Sequence, residues 1–313
     1  MNPDTIKSNA LLFLTAAIWG SAFVAQRVGM DHVGPFTFNG VRFALGSLSL
    51  VPLALFNLRR RAKQRDAAPV SDRKTLFSGG AAAGVALYLG ASLQQVGLVY
   101  TTAGKAGFIT GLYVVIVPIM GLLWRQRPDL GTWLGAIMAA WGLYLLSITR
   151  GFSIAFGDLL VLVGAFFWAA HVHILARFSP RVDSVQLALC QFVACSVFSL
   201  ITAAATETIA MEGLRLAAVP IFYGGVCSVG VAYTLQVVAQ RKAHPTHAAI
   251  ILSLEAAFAA LAGWVLLGET LSMRGMTGCA LMLAGMLLSQ FQIRLDFLAG
   301  PSRPASGSGK RLP

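Results

Sequence analysis

Apolar positions along this chain do not alternate with charged ones. They gather into long blocks, separated by short stretches rich in Gly, Pro or charge such as "DHVGP", "YTTAG", "RQRPD", "TRGFS", "SPRVD", "RKAHP" and "GETLSMR". Ten blocks can be cut, at about 9–28, 36–57, 76–98, 105–124, 131–148, 157–176, 184–205, 217–240, 246–267 and 275–292. Each is close to the roughly 20 residues that a helix needs to cross hydrocarbon. The pattern therefore predicts an all-α membrane protein with ten transmembrane helices. A cleaved leader is the rival reading of the first block, because Gly20-Ser21-Ala22 resembles a small-residue cleavage site. The block continues past that point and has a counterpart later in the chain, so a retained span is expected.

Composition agrees with the pattern. The 313 residues are 57% hydrophobic and 12% charged, and the mean hydropathy is +0.72. Soluble domains carry about 25% charged residues, so this chain cannot cover a globular surface with charge. Cys190, Cys195, Cys227 and Cys279 all lie inside apolar blocks and form no Cys-x-x-Cys pair. They read as small buried hydrophobes, not as a disulfide framework or a metal site. The net charge of +12 does not point to nucleic acid. "RRRAKQR" (59–65) abuts the end of a block and the basic tail 293–313 follows the last one, the placement of cytoplasmic anchors beside anionic lipid.

Basic residues also orient the chain. With the N-terminus inside, eighteen Lys and Arg fall in inside segments and five in outside segments, leaving only Arg42 within a span. The expectation is a plasma-membrane (cell or inner membrane) protein with both termini cytoplasmic and a disordered basic cytoplasmic tail over 293–313.

The chain is also self-similar. A shift of 149 residues brings Trp19 onto Trp168 and Arg42-Phe43 onto Gln191-Phe192. A shift of 142 brings Leu93-Gln94 onto Leu235-Gln236 and Tyr113 onto Glu255. A shift of 143 brings Gly135 onto Gly278 and Gly142 onto Gly285. Blocks one to five (9–148) and six to ten (157–292) thus read as two repeats. Five is odd, so the second repeat must be inverted. Inverted repeats mark secondary transporters, whose substrate site lies near the midplane between the halves.

At this point the sequence resembles the drug/metabolite transporter superfamily, in particular its EamA-type members. The residues that carry the resemblance are "AAIWGSAFVAQRV" in the first block, Arg42 in the second, "TTAGKAGFITGLYVVIVP" into the fourth, "LLGETLS" after the ninth and "GCALMLAGMLL" in the tenth. The likeness covers about 9–292. It departs in one respect: the second repeat has Leu267-Gly268-Glu269, whereas the first has Arg125-Gln126-Arg127 at the matching place, so Glu269 is not expected to belong to a symmetric pair. The resemblance implies a ten-helix exporter or exchanger of small metabolites, often amino acids.

Six residues are candidates for substrate binding or coupling: Glu255, Arg42, Trp19, Tyr113, Trp168 and His171. Glu255 lies about 14 Å from the inner end of its block at 1.5 Å per residue, near the midplane, where an ionisable group is costly and usually functional. It shares a helical stripe with Ala248, Ala259 and Ala262, while Ile250, Leu254, Phe258, Leu261 and Val265 form a bulky stripe suited to lipid. The bland alternative is one structural interhelical hydrogen bond. Arg42 lies about 9 Å below the outer interface. Its guanidinium keeps its charge, so it either clamps a substrate anion or makes a structural ion pair. Trp19, Trp168 and Tyr113 fall near mid-depth, whereas membrane aromatics usually gather at interfaces; they wall a cavity or simply pack. His171 and His173 point to different helix faces, which excludes an i,i+4 metal pair. His171 shares a proton path with Glu255 or bonds to a neighbouring helix. Gln94 and Gln236 suit interhelical hydrogen bonds. Stripes of small residues, Ala103-Gly107-Gly111 and Gly80-Gly84, allow close helix approach, and Pro118 is expected to break the fourth block.

No His-Glu-x-x-His, phosphate-binding loop or Gly-x-Ser-x-Gly occurs, so neither an enzyme nor a cofactor is expected. The partners expected are the bilayer, a small-molecule substrate and a coupling proton. Export of a small amino acid or related metabolite leads, with efflux of lipophilic cations as the alternative and an intramembrane enzyme or non-transporting scaffold as a third class.

Overall fold

A computed structural model describes residues 3–63, 73–124, 129–147, 154–179, 181–240, 251–252 and 254–289. The tail 293–313 and the stripe members Ala248 and Ile250 lie outside the described residues. The described chain is helical: α1 (Pro3–Gly29), α2 (Pro35–Lys63), α3 (Arg73–Tyr100), α4 (Ala103–Gly111), α5 (Tyr113–Met120), a 3-10 turn (Gly121–Trp124), α6 (Leu130–Ser147), α7 (Phe156–Phe178) and α8 (Ser184–Thr206) come first. Short α9 (Met211–Leu216) and α10 (Ala218–Phe222) then lead into a π-helix (Tyr223–Ala232), α11 (Tyr233–Gln240), α12 (Glu255–Leu267) and α13 (Met273–Leu288). Among the described residues, seven helical stretches are long and apolar enough to cross a membrane. Three shorter apolar ones accompany them: Leu130–Leu146, Glu255–Leu267 and Met273–Leu288.

Large apolar side chains stand exposed on the outside of the bundle, among them Leu48, Phe56, Trp141, Ile201, Trp264, Val265 and Leu266. In water such a surface would aggregate; against lipid tails it costs nothing. The bulky stripe expected on the ninth block behaves this way at Leu261 and Val265. Of its small stripe, Glu255 and Ala259 are buried and Ala262 is half-buried, and neighbouring Ala256 and Gly263 are buried as well.

Helix pairings follow an exchange pattern. α3 packs on α7, and α1 packs on the π-helix and α11. α3 packs on α8, and α2 on the π-helix. α4 and α5 pack on α7, and α1 on α12. The pairs α2–α8, α4–α12 and α6–α13 join like-placed helices of the two halves. Small residues make these approaches possible, since without a hydrophobic drive membrane helices associate through close packing. The α6–α13 seam is the clearest case. A Cβ added at Gly142 would stand 2.5 Å from the Gly278 carbonyl oxygen, and one at Gly135 would stand 2.4 Å from that of Gly285. Gly278 meets Gly142 O at 2.7 Å and Gly285 meets Gly135 O at 2.6 Å in return. The obstacle is backbone, which cannot step aside as a rotamer can. Gly142→Ala is therefore expected to destabilise the purified protein by about 1–3 kcal/mol, the usual cost of overpacking, read as a lowered unfolding midpoint in detergent. An unchanged midpoint would mean that the seam is looser than its geometry.

Pro118 is not where the fourth block breaks. α5 runs through it, and the interruption falls at Leu112. There the backbone tightens to a 3-10 step, with Leu112 N–H donating to Ile109 O at 3.2 Å. The second half does the same at Leu254, whose N–H donates to Ile251 O at 3.2 Å. Leu112 has φ −59°, ψ −18° and Leu254 φ −64°, ψ −14°. The two positions differ by the 142 residues that align Tyr113 with Glu255. Tyr113 and Glu255 are thus each the first residue of the helix that follows its step.

Candidate functional site

Glu255 is 4% exposed and opens α12. An acidic residue in a first turn complements the helix dipole, so the step at Leu254 gives a buried carboxylate a favourable backbone setting. Space around it is set by small residues: a Cβ added to Gly20 of α1 would stand 2.6 Å from Glu255 O, and one on Gly107 of α4 would stand 2.3 Å from the Ala259 Cβ. The Oε1 atom of Glu255 has no hydrogen-bond partner among the described residues.

Arg42 is also 4% exposed. Its guanidinium lies over the rings of Phe43 (4.9 Å) and Phe38 (5.6 Å). Such cation–π contacts hold a cation without consuming its N–H donors. No carboxylate pairs with it among the described residues, and its Nε is unpartnered. One turn earlier on α2, both amide atoms of fully buried Asn39 lack partners as well. Buried polar atoms are ordinarily bonded, so these unpartnered atoms at Arg42 and Asn39 stand out.

Tyr233 belongs to the same buried region. It follows the π-helix, and its phenol is within electrostatic reach of Arg42, Glu255 and Tyr113. Its ring meets Trp19 edge-on at 4.8 Å and Phe192 at 5.3 Å. Trp19 is fixed in turn by its indole N–H, which donates to Ser228 O of the π-helix at 3.2 Å. Trp19 meets Tyr233 directly, and Arg42 lies over Phe43 at the other end of the same run of rings, Phe43–Phe192–Tyr233.

Trp168 and His171 lie edge-on to each other at 6.0 Å, and Trp168 packs against the same buried cluster, with Phe43 and Phe192, as Tyr233 does. Trp168 donates to Gln94 Oε1 at 3.0 Å, and Gln94 donates to Gln26 Oε1 at 3.1 Å. Gln94 thereby makes the interhelical bonds that its position predicts. His171 Nε2 is bonded to Gln191 Oε1 of α8 at 2.7 Å, and His173 Nε2 donates to Val117 O at 2.9 Å. His171 is bonded to a neighbouring helix and makes no hydrogen bond to Glu255 among the described residues.

Several polar residues escape a reading by blocks because they sit at block edges. Buried Asp158 takes Lys105 Nζ at 2.7 Å and Thr101 Oγ1 at 2.5 Å. Glu207, at the end of α8, accepts from Phe36 N, Thr37 N and Thr37 Oγ1 at 2.7–2.8 Å and so caps α2. Glu269 accepts from Ala103 N at 2.7 Å and Gly104 N at 3.0 Å and so caps α4. This explains Leu-Gly-Glu: Gly268 takes a left-handed φ of 65° that ends α12 and turns Glu269 back onto α4. Each carboxylate comes from the second half and closes on the first at the same end of the bundle. Glu269→Ala leaves two helix N–H groups without their acceptor and is expected to cost about 1–2 kcal/mol of stability, as cap removals do. A thermal midpoint equal to that of the wild type would refute the cap.

The fold and this buried polar centre define a multi-pass membrane protein of the transporter class. A family model of the EamA-like transporter family matches twice, over residues 6–148 and 155–291. The chain belongs to the EamA-like transporter family, within the drug/metabolite transporter superfamily. It is 33% identical over 287 residues to an uncharacterized transporter of Archaeoglobus fulgidus, covering 90% of this chain and 85% of the relative. It is 21% identical over 285 residues to the uncharacterized transporter YoaV of Bacillus subtilis, covering 88% and 93%. A crystal structure with 19% identity matches the fold at a TM-score of 0.63 over 90% of this chain and 96% of that one.

Proposed function

We propose that the chain is a secondary transporter that carries a small zwitterion, an amino acid or a close relative, by alternating access. One observation carries the reading: a carboxylate and a guanidinium are buried, each with an unpartnered polar atom, and they are not paired with each other. Burying two opposite charges unpaired is expensive. A substrate with an ammonium for Glu255 and a carboxylate for Arg42 would offset both costs at once. A lipophilic cation would satisfy Glu255 but leave Arg42 facing a like charge, so efflux of such cations is the weaker reading.

The seven long helices and three shorter apolar ones are read as ten spans in two inverted five-helix repeats. The exchange-related pairings and the matched steps at Leu112 and Leu254 support this. Discontinuous helices at like positions of two repeats are a pointer to a midplane site. Tyr113 and Glu255 at those steps, with Trp19, would contact substrate, and Trp168 and His171 would support the wall through Gln94 and Gln191. Glu255 would also be the group that takes a coupling proton when substrate leaves.

The carboxylate clasps of Glu207 and Glu269 lie at the outer end if both termini are cytoplasmic. Single cysteines placed at Asp66, Ala210 and Ser306 test this in intact cells after the four native cysteines are replaced. Impermeant maleimide is expected to label only the variant at 210; labelling at 66 and 306 but not at 210 would reverse the orientation. For binding, purified protein is expected to be thermally stabilised by small neutral amino acids. Stabilisation by tetraphenylphosphonium and by no amino acid would favour the cation reading.

A further inference from the structure

We infer that Glu207, Glu269 and Asp158 are the latches of one gate. They hold shut the end of the bundle at which α2, α4 and α7 begin, and they let go when the site opens toward that end. The inference rests on the reading of the chain as an alternating-access transporter, but on no particular substrate.

Three carboxylates of the second half close on the first half at this end. Glu207 takes Phe36 N–H on Oε1 and both the N–H and the hydroxyl of Thr37 on Oε2. Glu269 takes Ala103 N–H on Oε1 and Gly104 N–H on Oε2. Asp158, in the first turn of α7, takes Thr101 Oγ1 on Oδ1 and Lys105 Nζ on Oδ2. Three different seams are fastened: α2 to the end of α8, α4 to the turn after α12, and α4 to α7. Carboxylate acceptors make strong bonds, and the start of a helix favours negative charge.

Strength alone would describe a permanent cap. A latch must also be replaceable when it parts. Glu207, Glu269 and Lys105 are only half-buried, so water can take up the carboxylates and the donors they release. Such an exchange has a small net cost. The α6–α13 seam differs, because there backbone lies against backbone at the paired glycines and parting would lose close packing that nothing replaces. At the opposite end, the bonds across the halves from Ser8 to Ala239 O (2.9 Å) and from Thr132 Oγ1 to Ser289 O (3.4 Å) involve no carboxylate.

Placement ties the latches to the site. α2 begins beside Glu207 and carries Arg42. α4 begins beside Glu269 and leads through the step at Leu112 to Tyr113. α12 begins at Glu255 and ends just before Glu269. A movement released at the latches is therefore passed along these helices to the residues that would hold substrate.

Glutamine gives the sharp substitution. Glu207 and Glu269 each use both oxygens on N–H donors, so glutamine keeps the size but turns its own NH2 toward one of them. The test is made on full-length protein in detergent, with the four native cysteines replaced and spin labels on cysteine pairs at exposed positions. Asp31 with Met211 spans the Glu207 latch, and Tyr100 with Met273 spans the Glu269 latch. Leu58 with Arg177 reports the opposite end. Distances are read by electron paramagnetic resonance. The minor state of a two-state protein is populated at about 0.1–10%, and the double variant Glu207→Gln/Glu269→Gln is expected to raise the open state by about tenfold or more. Both latched-end pairs should gain a longer distance and Leu58–Arg177 a shorter one, because alternating access closes one end as it opens the other. Unchanged distances with a lowered thermal midpoint would make the carboxylates caps only and overturn the gate. Lengthening at the latched end with Leu58–Arg177 unchanged would be fraying and overturn it as well. Should the double variant not fold, Asp158→Asn leaves both helix caps in place and is read the same way. The distances involve no substrate, so a failed zwitterion reading leaves them intact, and a failed gate leaves that reading to its own binding assay.

Discussion

Glu255→Gln is expected to fold, reach the membrane and carry essentially no flux. Glutamine preserves the shape and the hydrogen-bonding ability of the side chain but removes the charge. If Glu255 were a structural bond only, Gln would serve nearly as well. In the structure it opens a helix at a step, beside the glycine face of α1, with Oε1 unpartnered among the described residues. Losing one side of a buried charge contact costs about 2–5 kcal/mol, so transport should fall by about 30-fold or more. Substrate-driven and proton-driven exchange should fail together. Equal amounts of monodisperse mutant and wild-type protein, with wild-type flux at acidic and mildly alkaline pH, would reduce Glu255 to a packing residue.

Arg42→Lys should follow closely. Lysine keeps the positive charge and can lie over Phe38 and Phe43, but a point charge does not replace a planar fork that binds a carboxylate with two parallel bonds. Apparent affinity is expected to weaken by about tenfold or more, with the thermal midpoint nearly unchanged. Arg42→Gln should lose more. Unchanged uptake kinetics in both variants would mean that the guanidinium is structural.

Much of this arrangement was legible in the sequence because lipid imposes simple rules. Block length, basic residues and glycine spacing announce helices, loops and close contacts, and the matches of Gly135 with Gly278 and Gly142 with Gly285 lie at the tight α6–α13 seam. Charge inside an apolar block singled out Glu255 and Arg42 for the same reason. Tyr233 was not legible. An aromatic residue in an apolar block is unremarkable, and its place beside Trp19 and Phe192 follows a π-helix that leaves no mark on hydropathy. Nor were the caps at Glu207 and Glu269, since block edges collect charge for many reasons and only the fold decides which helix end a carboxylate meets. The step at Leu112 was misplaced to Pro118 because proline is the stronger local signal; near the end of a short helix it breaks nothing. Of the two readings of His171, the bond to a neighbouring helix is the one present: its partner is Gln191, a polar residue in a different block that the shift of 149 places opposite Arg42.

The central claim is that one site holds an ammonium at Glu255 and a carboxylate at Arg42 and moves the pair across the bilayer. Counterflow in liposomes containing the purified protein tests it most directly. Vesicles are loaded with unlabelled alanine and diluted into labelled alanine, ethylamine or propionate, the last two lacking the carboxylate or the amine. The account predicts transient accumulation of labelled alanine, or of another small neutral amino acid in the same panel, with none of ethylamine or propionate and none in Glu255→Gln vesicles. Accumulation of ethylamine as fast as that of the amino acid, or no counterflow of any amino acid by protein that remains folded, would contradict it.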